Sequence, residues 1–548
     1  MPSTLTLTGL PATARPGIYA RIDASALSGG APDSGRLALV GDFPTFPTAT
    51  PVEFTSRRAM SSYDTSDADL AQLAALSFNP SNDPLANRGA SALIMINARE
   101  ACTAASVDFG PVILTSKVYG PRGNRLSAAL TVSGDSLSLA LNRGGLSESF
   151  SATSNALFTL TNNTGGSLAL TVEEGVITLE ASGGVILATI TESEAPDLRA
   201  AVAILNGLED ISAELIEPGL ITLAELDYKL TSVADGATLT YKAPGRALTA
   251  ALSASRLVTA SQDTTSSAGT LSTSTQYATG GAQGSALGWS AALEAIEAQS
   301  VQIVCMFSTD SAAHSLLPAH LTAAALAGYE RQAYAAIPST TVLTSARTLA
   351  AALNNPGIAL AAQSVTVYDP RGRIAALDAR YTALILAAMQ AGSDVGEPLT
   401  RKRPAILSTA QVWDTHADIE QALRAGLCVI SRDQIGPRVE RSLTSWLEDN
   451  NPVYTEISAY ESVLFSVRDL RTALADQIGR PTKASQMSLI ESRVNARLAA
   501  QVRDGRIKAY QGVTLEDLGD QVAISYQVAP VEPLNFIAIT AIAQRISA

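Results

Sequence analysis

Between Asp108 and Thr191 the chain gives up helical periodicity for a succession of short alternating runs, VILTSKVYG, LSAALTVSG, SLSLALN, ALFTLTN, SLALTVEEG, VITLEASGG and VILATI. Alternation puts every second side chain on one face of a pleated strand, and a spacing of roughly ten residues with Gly or Asn between runs leaves room only for tight returns. The block therefore spells an antiparallel β domain. On both sides of it the pattern is different. A strand at Leu37–Val40, a helix at Ser66–Ser77 carrying Leu70, Leu73 and Leu76, and an apolar strand at Ser91–Ala98 precede it. A helix at Trp289–Ala298, a strand at Val301–Phe307, helices over Pro318–Tyr334 and Thr344–Asn355, and a strand at Ser364–Pro370 follow. Alternation of strand and helix predicts an α/β layer architecture, so the simplest reading inserts the β domain into one α/β body.

These patterns predict a multidomain chain of α/β and α+β type. It comprises an N-terminal extended arm over 1–25, the first part of the α/β body over 26–105, the inserted antiparallel β domain over 106–200, and a loop-rich connector over 201–284. The second part of the body then spans 285–400, an α+β C-terminal domain 401–530, and a C-terminal arm strand 531–548. In the connector a strand at Ala237–Tyr241 precedes a Ser/Thr/Gly-rich run expected on the surface. In the C-terminal domain a helix at His416–Ala425 stops at Gly426, and strands at LCVIS and near Val439–Trp446 follow. Two helices come next, one with Val463, Val467, Leu470, Leu474 and Ile478 on one face, the other with Met487, Ile490, Val494, Leu498 and Val502.

Both ends of the chain read as extended. Leu5 and Leu7, then Ile18, Tyr19, Ala20 and Ile22, sit around Pro11 and Pro16 without helical spacing. At the other end Val522, Ile524, Tyr526 and Val528 alternate with small or polar residues, the signature of a half-buried strand. Pro530 and Pro533 then interrupt any ladder, and Leu534, Phe536, Ile537, Ile539 and Ile542 form a run that is apolar on both faces. Such a run needs partners in its own fold or in another molecule.

A formal charge of −13 argues against nucleic acid as the main partner, because phosphate binding needs clustered Lys and Arg. Cys102, Cys305 and Cys428 are too scattered for a zinc site or a disulfide framework. His314 and His320 are spaced poorly for two ligands on one helical face, His416 is remote, and no hydrolase or metalloprotease motif occurs. The run Gly280–Ser285 lacks the Lys-Ser/Thr of a phosphate loop. No catalytic, cofactor or metal residue is expected, nor a membrane-spanning segment. One segment runs against the overall charge: Arg480, Lys483, Arg493, Arg497, Arg503, Arg506 and Lys508 face only Glu491 and Asp504. It reads either as a solvated helix face or as a surface for an acidic partner.

The ending APVEPLNFI after a strand, the opening RPGIYARI (Arg15–Ile22), the corner Gly120–Asn124 and the segment Asp378–Pro404 together resemble contractile-tail sheath proteins of bacteriophages and related injection machines. Composition independently allows Gly120, Gly123 and Asn124 to be an ordinary turn. The resemblance implies a non-enzymatic subunit that polymerises helically around a tail tube and contracts to drive the tube through a host envelope. It would have no cofactor. Its partners would be copies of itself, the tail tube protein, and baseplate and tail terminator proteins, in a virion tail assembled in the host cytoplasm. It also implies that the two terminal segments are inter-subunit arms, that Val522, Ile524, Tyr526 and Val528 form an acceptor sheet, and that the basic segment faces the tube. A sheath of a phage-derived injection particle, a cytoplasmic enzyme with a β-sandwich insertion and a trimeric tail fibre are the competing readings.

Overall fold

The computed structural model describes residues 35–537 except 66, 84, 85, 87, 412, 414, 479–482 and 518–521. At its centre is an eight-stranded sheet in the order Val52–Phe54, Ala92–Asn97, Arg36–Gly41, Ile303–Phe307, Gln332–Ala336, Ile358–Ala361, Leu427–Arg432 and Pro437–Arg441. The six inner strands are parallel and only the edge strands are antiparallel. Parallel strands need crossovers that cover both faces, which explains why LALV, ALIMI and IVCMF are apolar without alternation. Leu37 and Leu39 point into one core with the helices Ala68–Phe78 and Ala379–Gly392. Ala38 and Val40 point into the other, against Trp289, Leu317, Ala346 and Ala422 from four further helices. The β region leaves the body after Ala92–Asn97 and the chain re-enters the sheet at Ile303–Phe307, the two strands that flank Arg36–Gly41 on either side.

The structure corrects three sequence readings. Pro318–Tyr334, expected as one helix, is helical only over Leu317–Leu326; Gly328 turns with positive φ, and Tyr334 is a fully buried residue of an inner strand. Its neighbours are alanines, whose helix propensity conceals a strand short enough to be set by tertiary burial alone. The strands Leu427–Arg432 and Pro437–Arg441, expected in a separate C-terminal domain over 401–530, extend the central sheet beyond Ile358–Ala361. The body therefore continues to residue 441. Finally, residues 201–284 are not a loop-rich connector. Ile211–Leu215 and Thr238–Lys242 flank Ala156–Asn162, Lys229–Val233 joins Leu168–Glu173, Val258–Gln262 joins Val112–Tyr119, and Ser274–Tyr277 joins Ser127–Ser133. These strands are half exposed and rich in Ser and Thr, so the alternation that marks a strand is present in geometry but faint in hydropathy.

The β region has two cores, one around Phe158, Leu170, Leu179 and Tyr241 and one around Leu114, Leu130, Leu139 and Val258. The Gly120–Asn124 corner joins it to the glycine run at 280–285. Asn124 Oδ1 accepts from the Gly281 N–H at 2.9 Å while its Nδ2 donates to the Gly281 carbonyl at 3.0 Å. A Cβ on Gly281 would lie 2.4 Å from the Gly120 carbonyl oxygen, so this glycine is required by close backbone approach.

Candidate assembly interface

Two long helices, Ile457–Leu474 and Ala484–Arg503, carry an antiparallel ribbon of Ile507–Asp517 and Val522–Pro530. Val522, Ile524, Tyr526 and Val528 lie half-buried on its inner face against Leu470, Ile490, Val494, Leu498 and Ile507, while Ser525, Gln527 and Ala529 face out. Tyr526 Oη is 3.1 Å from Ser466 Oγ, which satisfies the one polar group on that face. Among the described residues the ribbon stops at two strands. An open strand edge is a row of unpaired backbone donors and acceptors, which another extended segment can complete.

After Pro530 the chain leaves the ribbon without regular structure as far as Ile537. Leu534, Phe536 and Ile537 are 80%, 80% and 76% exposed, an unusual state for three large apolar side chains within four residues. The root of this tail is fixed. Asn535 Nδ2 donates to Glu456 Oε1 at 2.8 Å, Arg441 Nε donates to the same oxygen at 2.9 Å, and the Arg441 guanidinium lies 5.8 Å from the centre of the Phe536 ring. Glu456 is only 1% exposed; burial pushes its carboxyl above the usual range, with Arg441 and Asn535 pulling the other way. Beside the tail runs a groove of about 840 Å³ whose walls include Trp446, Leu447 and Pro533. Replacing Asn535 by alanine removes a bond to a buried carboxylate, an interaction worth about 1.5–3 kcal/mol in general. We expect faster protease cleavage at 531–537 in N535A with an unchanged body.

The basic segment is largely committed within the chain. Arg497 Nε donates to Asp469 Oδ2 at 2.6 Å and its Nη2 to Oδ1, Arg493 pairs with Asp476 at 2.5 Å, Arg503 with its neighbour Asp504 at 3.0 Å, and Arg506 with Asp394 at 3.4 Å. Lys483 and Lys508 are exposed. Arg480, the N-terminal Leu5, Leu7, Ile18 and Tyr19, and the C-terminal Ile539 and Ile542 lie outside the described residues. The triad of Arg441, Glu456 and Asn535 leaves no signal in the sequence, since its members come from a body strand, a helix start and the tail, and no spacing links them.

Two of the histidines and all three cysteines read as packing groups, while His416 is exposed at a helix start. His314 is buried with Nε2 2.9 Å from the Ser308 carbonyl, and burial with help from Arg331 pushes His320 down to about 4. All three cysteines are buried and free.

A family model described as the phage tail sheath protein central domain matches residues 282–445, which contain five of the eight central strands. The tail sheath protein of Staphylococcus phage Twort is 27% identical over 197 residues, covering 35% of this chain and 33% of that protein. That of Bacillus phage SP01 is 25% identical over 166 residues, covering 30% and 29%. The chain thus matches about a third of the length of these curated relatives. Crystal structures of sheath tail proteins from Desulfitobacterium hafniense and Listeria innocua share the fold across nearly the whole chain. The first has 16% identity, coverage of 94% of this chain and 97% of that one, and a TM-score of 0.54. The second has 13% identity, coverage of 93% and 95%, and a TM-score of 0.57. Residues 282–445 thus carry a phage tail sheath protein central domain, and the fold built around it is the one seen in sheath tail proteins.

Proposed function

We propose that this protein is the structural subunit of a contractile tail sheath, polymerising helically around a tail tube and contracting to drive that tube through a host envelope. The observation that carries the reading is the open two-stranded ribbon beside a tail whose large apolar side chains are left in solvent. A donor tail and an acceptor ribbon are different surfaces, so pairing them between copies makes a heterologous contact, the kind that propagates into rings and helices. The role is structural, with energy held in a metastable packing of the lattice rather than supplied by a nucleotide. In this reading the subunit meets its own copies, the tube, and baseplate and terminator proteins, and is assembled in the host cytoplasm into a virion tail.

Negative-stain images of the purified protein test the core of the proposal: helical tubes are expected, and a persistently monomeric protein overturns it. For the tube-facing surface, Lys483 and Lys508 are the cleaner probes, since both are exposed. Reversing both to glutamate is expected to reduce co-assembly with purified tubes while the thermal transition stays within a degree or two. Unchanged tube decoration would remove the basic segment from the interface.

A further inference from the structure

The β region contains a four-stranded sheet in the order Val185–Ile190, Val176–Ala181, Leu168–Glu173, Lys229–Val233. Both of its outer strands are exposed. Val185 and Ile186 are 59% and 62% accessible, Leu187 is also exposed, and Leu230 on the opposite edge is 60% accessible. The first edge is presented by a hairpin turned at Gly183 and Gly184, both with positive φ, as a tight return between twisted strands requires. A long apolar edge strand is a feature that soluble proteins usually blunt with charge or proline, and neither stands between Val185 and Ile190.

We infer that this sheet continues from one copy of the chain to the next, the Val185–Ile190 edge of one insertion pairing with the Lys229–Val233 edge of its neighbour. Topology makes the match. Each of the three pairings inside the sheet is antiparallel, so the two outer strands run in opposite directions and a neighbour placed head to tail meets the edge in antiparallel register. The rows of the sheet give that register. Thr189, Thr178, Thr171 and Leu230 form one row, and Ile190, Ile177, Val172 and Lys229 the next. Continuing the rows sets Leu230 of one copy beside Thr189 of the other, and Lys229 beside Ile190. Charge agrees with this direction. Glu192 and Glu194, exposed just after Ile190, come next to Lys229, which makes no ion pair within 4 Å among the described residues. The donor and acceptor edges differ, so the contact propagates instead of closing into a two-fold dimer. It rests on the sheath reading, to which it adds a lateral tie separate from the terminal arms.

The test is a cysteine pair, Thr189→Cys with Leu230→Cys, in a chain whose own cysteines are buried. Treated with a short bis-maleimide, tubes of the double variant are expected to give a ladder of covalent multimers on a denaturing gel, and neither single variant should. Adding Ile186→Lys at an exposed position is expected to abolish the ladder. Tubes that form without a ladder, or a ladder from either single variant, overturn the inference while leaving the sheath reading intact. Absence of tubes counts against the sheath reading instead, and the ladder is then sought with the concentrated soluble protein, where its absence also rejects the edge pairing.

Discussion

Replacing Arg497 by glutamate is expected to unfold the C-terminal helical pair, not merely to weaken contacts with a partner. The sequence presents Arg493 and Arg497 as equivalent members of a basic face, and the structure separates them. Arg497 grips Asp469 through two bonds, and Asp469 is 1% exposed, with Gln501 donating to the same carboxylate at 2.7 Å. Removing the cation strands a charge in the interface between the helices, and the new glutamate adds a like charge beside it. Breaking a buried pair by removal of one partner costs about 3–5 kcal/mol, a large share of the stability of a typical domain. Arg493 and Asp476 are both well exposed, so reversal there is expected to cost less than about 1 kcal/mol. Chemical denaturation of the two single variants measures the difference. Equal, small losses would show that Asp469 relaxes to solvent. The same contrast decides which residues can report on a tube contact: a defect in assembly of R497E cannot be separated from a defect in folding.

That asymmetry shows where sequence stops being informative. Long unbroken apolar runs such as Ala92–Asn97 and Ile303–Phe307 announce buried parallel strands. The half-buried alternation at Val522–Pro530 is equally clear, because one face packs and the other meets water. Its partner strand Ile507–Asp517 is hidden, since Gly512 sits in a register shift and the strand begins amid basic residues. Polarity misleads in the helix Ile457–Leu474 as well. Val463 and Val467, which periodicity sends to the core, are half-buried, whereas Glu461, Ser462, Arg468 and Asp469 are buried. The reason lies in what the helix meets: Arg468 Nη2 donates to Glu461 Oε1 at 2.7 Å and its Nη1 to the Glu330 carbonyl at 2.8 Å, while Gln332 donates to the Ile457 carbonyl at 2.7 Å. A polar surface on the body selects a polar helix face, and no single-segment pattern contains that information. The tail root is of the same kind, being assembled from three distant segments.

Removing the tail beyond Ile537 is expected to abolish polymerisation while leaving the subunit folded, and the structure specifies where the cut must fall. A truncation starting at Leu534 also deletes Asn535, which withdraws a donor from the buried Glu456 and takes away the ring beneath Arg441. Any loss of assembly would then mix a missing arm with a disturbed root. Ending the chain at Ile537 keeps the Arg441, Glu456 and Asn535 contacts and removes Ile539 and Ile542 from the apolar run. The cut leaves in place every contact that the root of the tail makes with its own subunit, so the thermal transition should match that of the full chain. Assembly is a different matter. In the proposed lattice each lost donor strand would remove a row of backbone hydrogen bonds and its side-chain anchors from a contact, and a polymer would multiply that loss at each step. Sedimentation and negative-stain imaging of the two forms under identical conditions give the answer: tubes from the full chain with only small species from the shortened one support the arm, and tubes of equal length from both assign the lattice contacts to other surfaces.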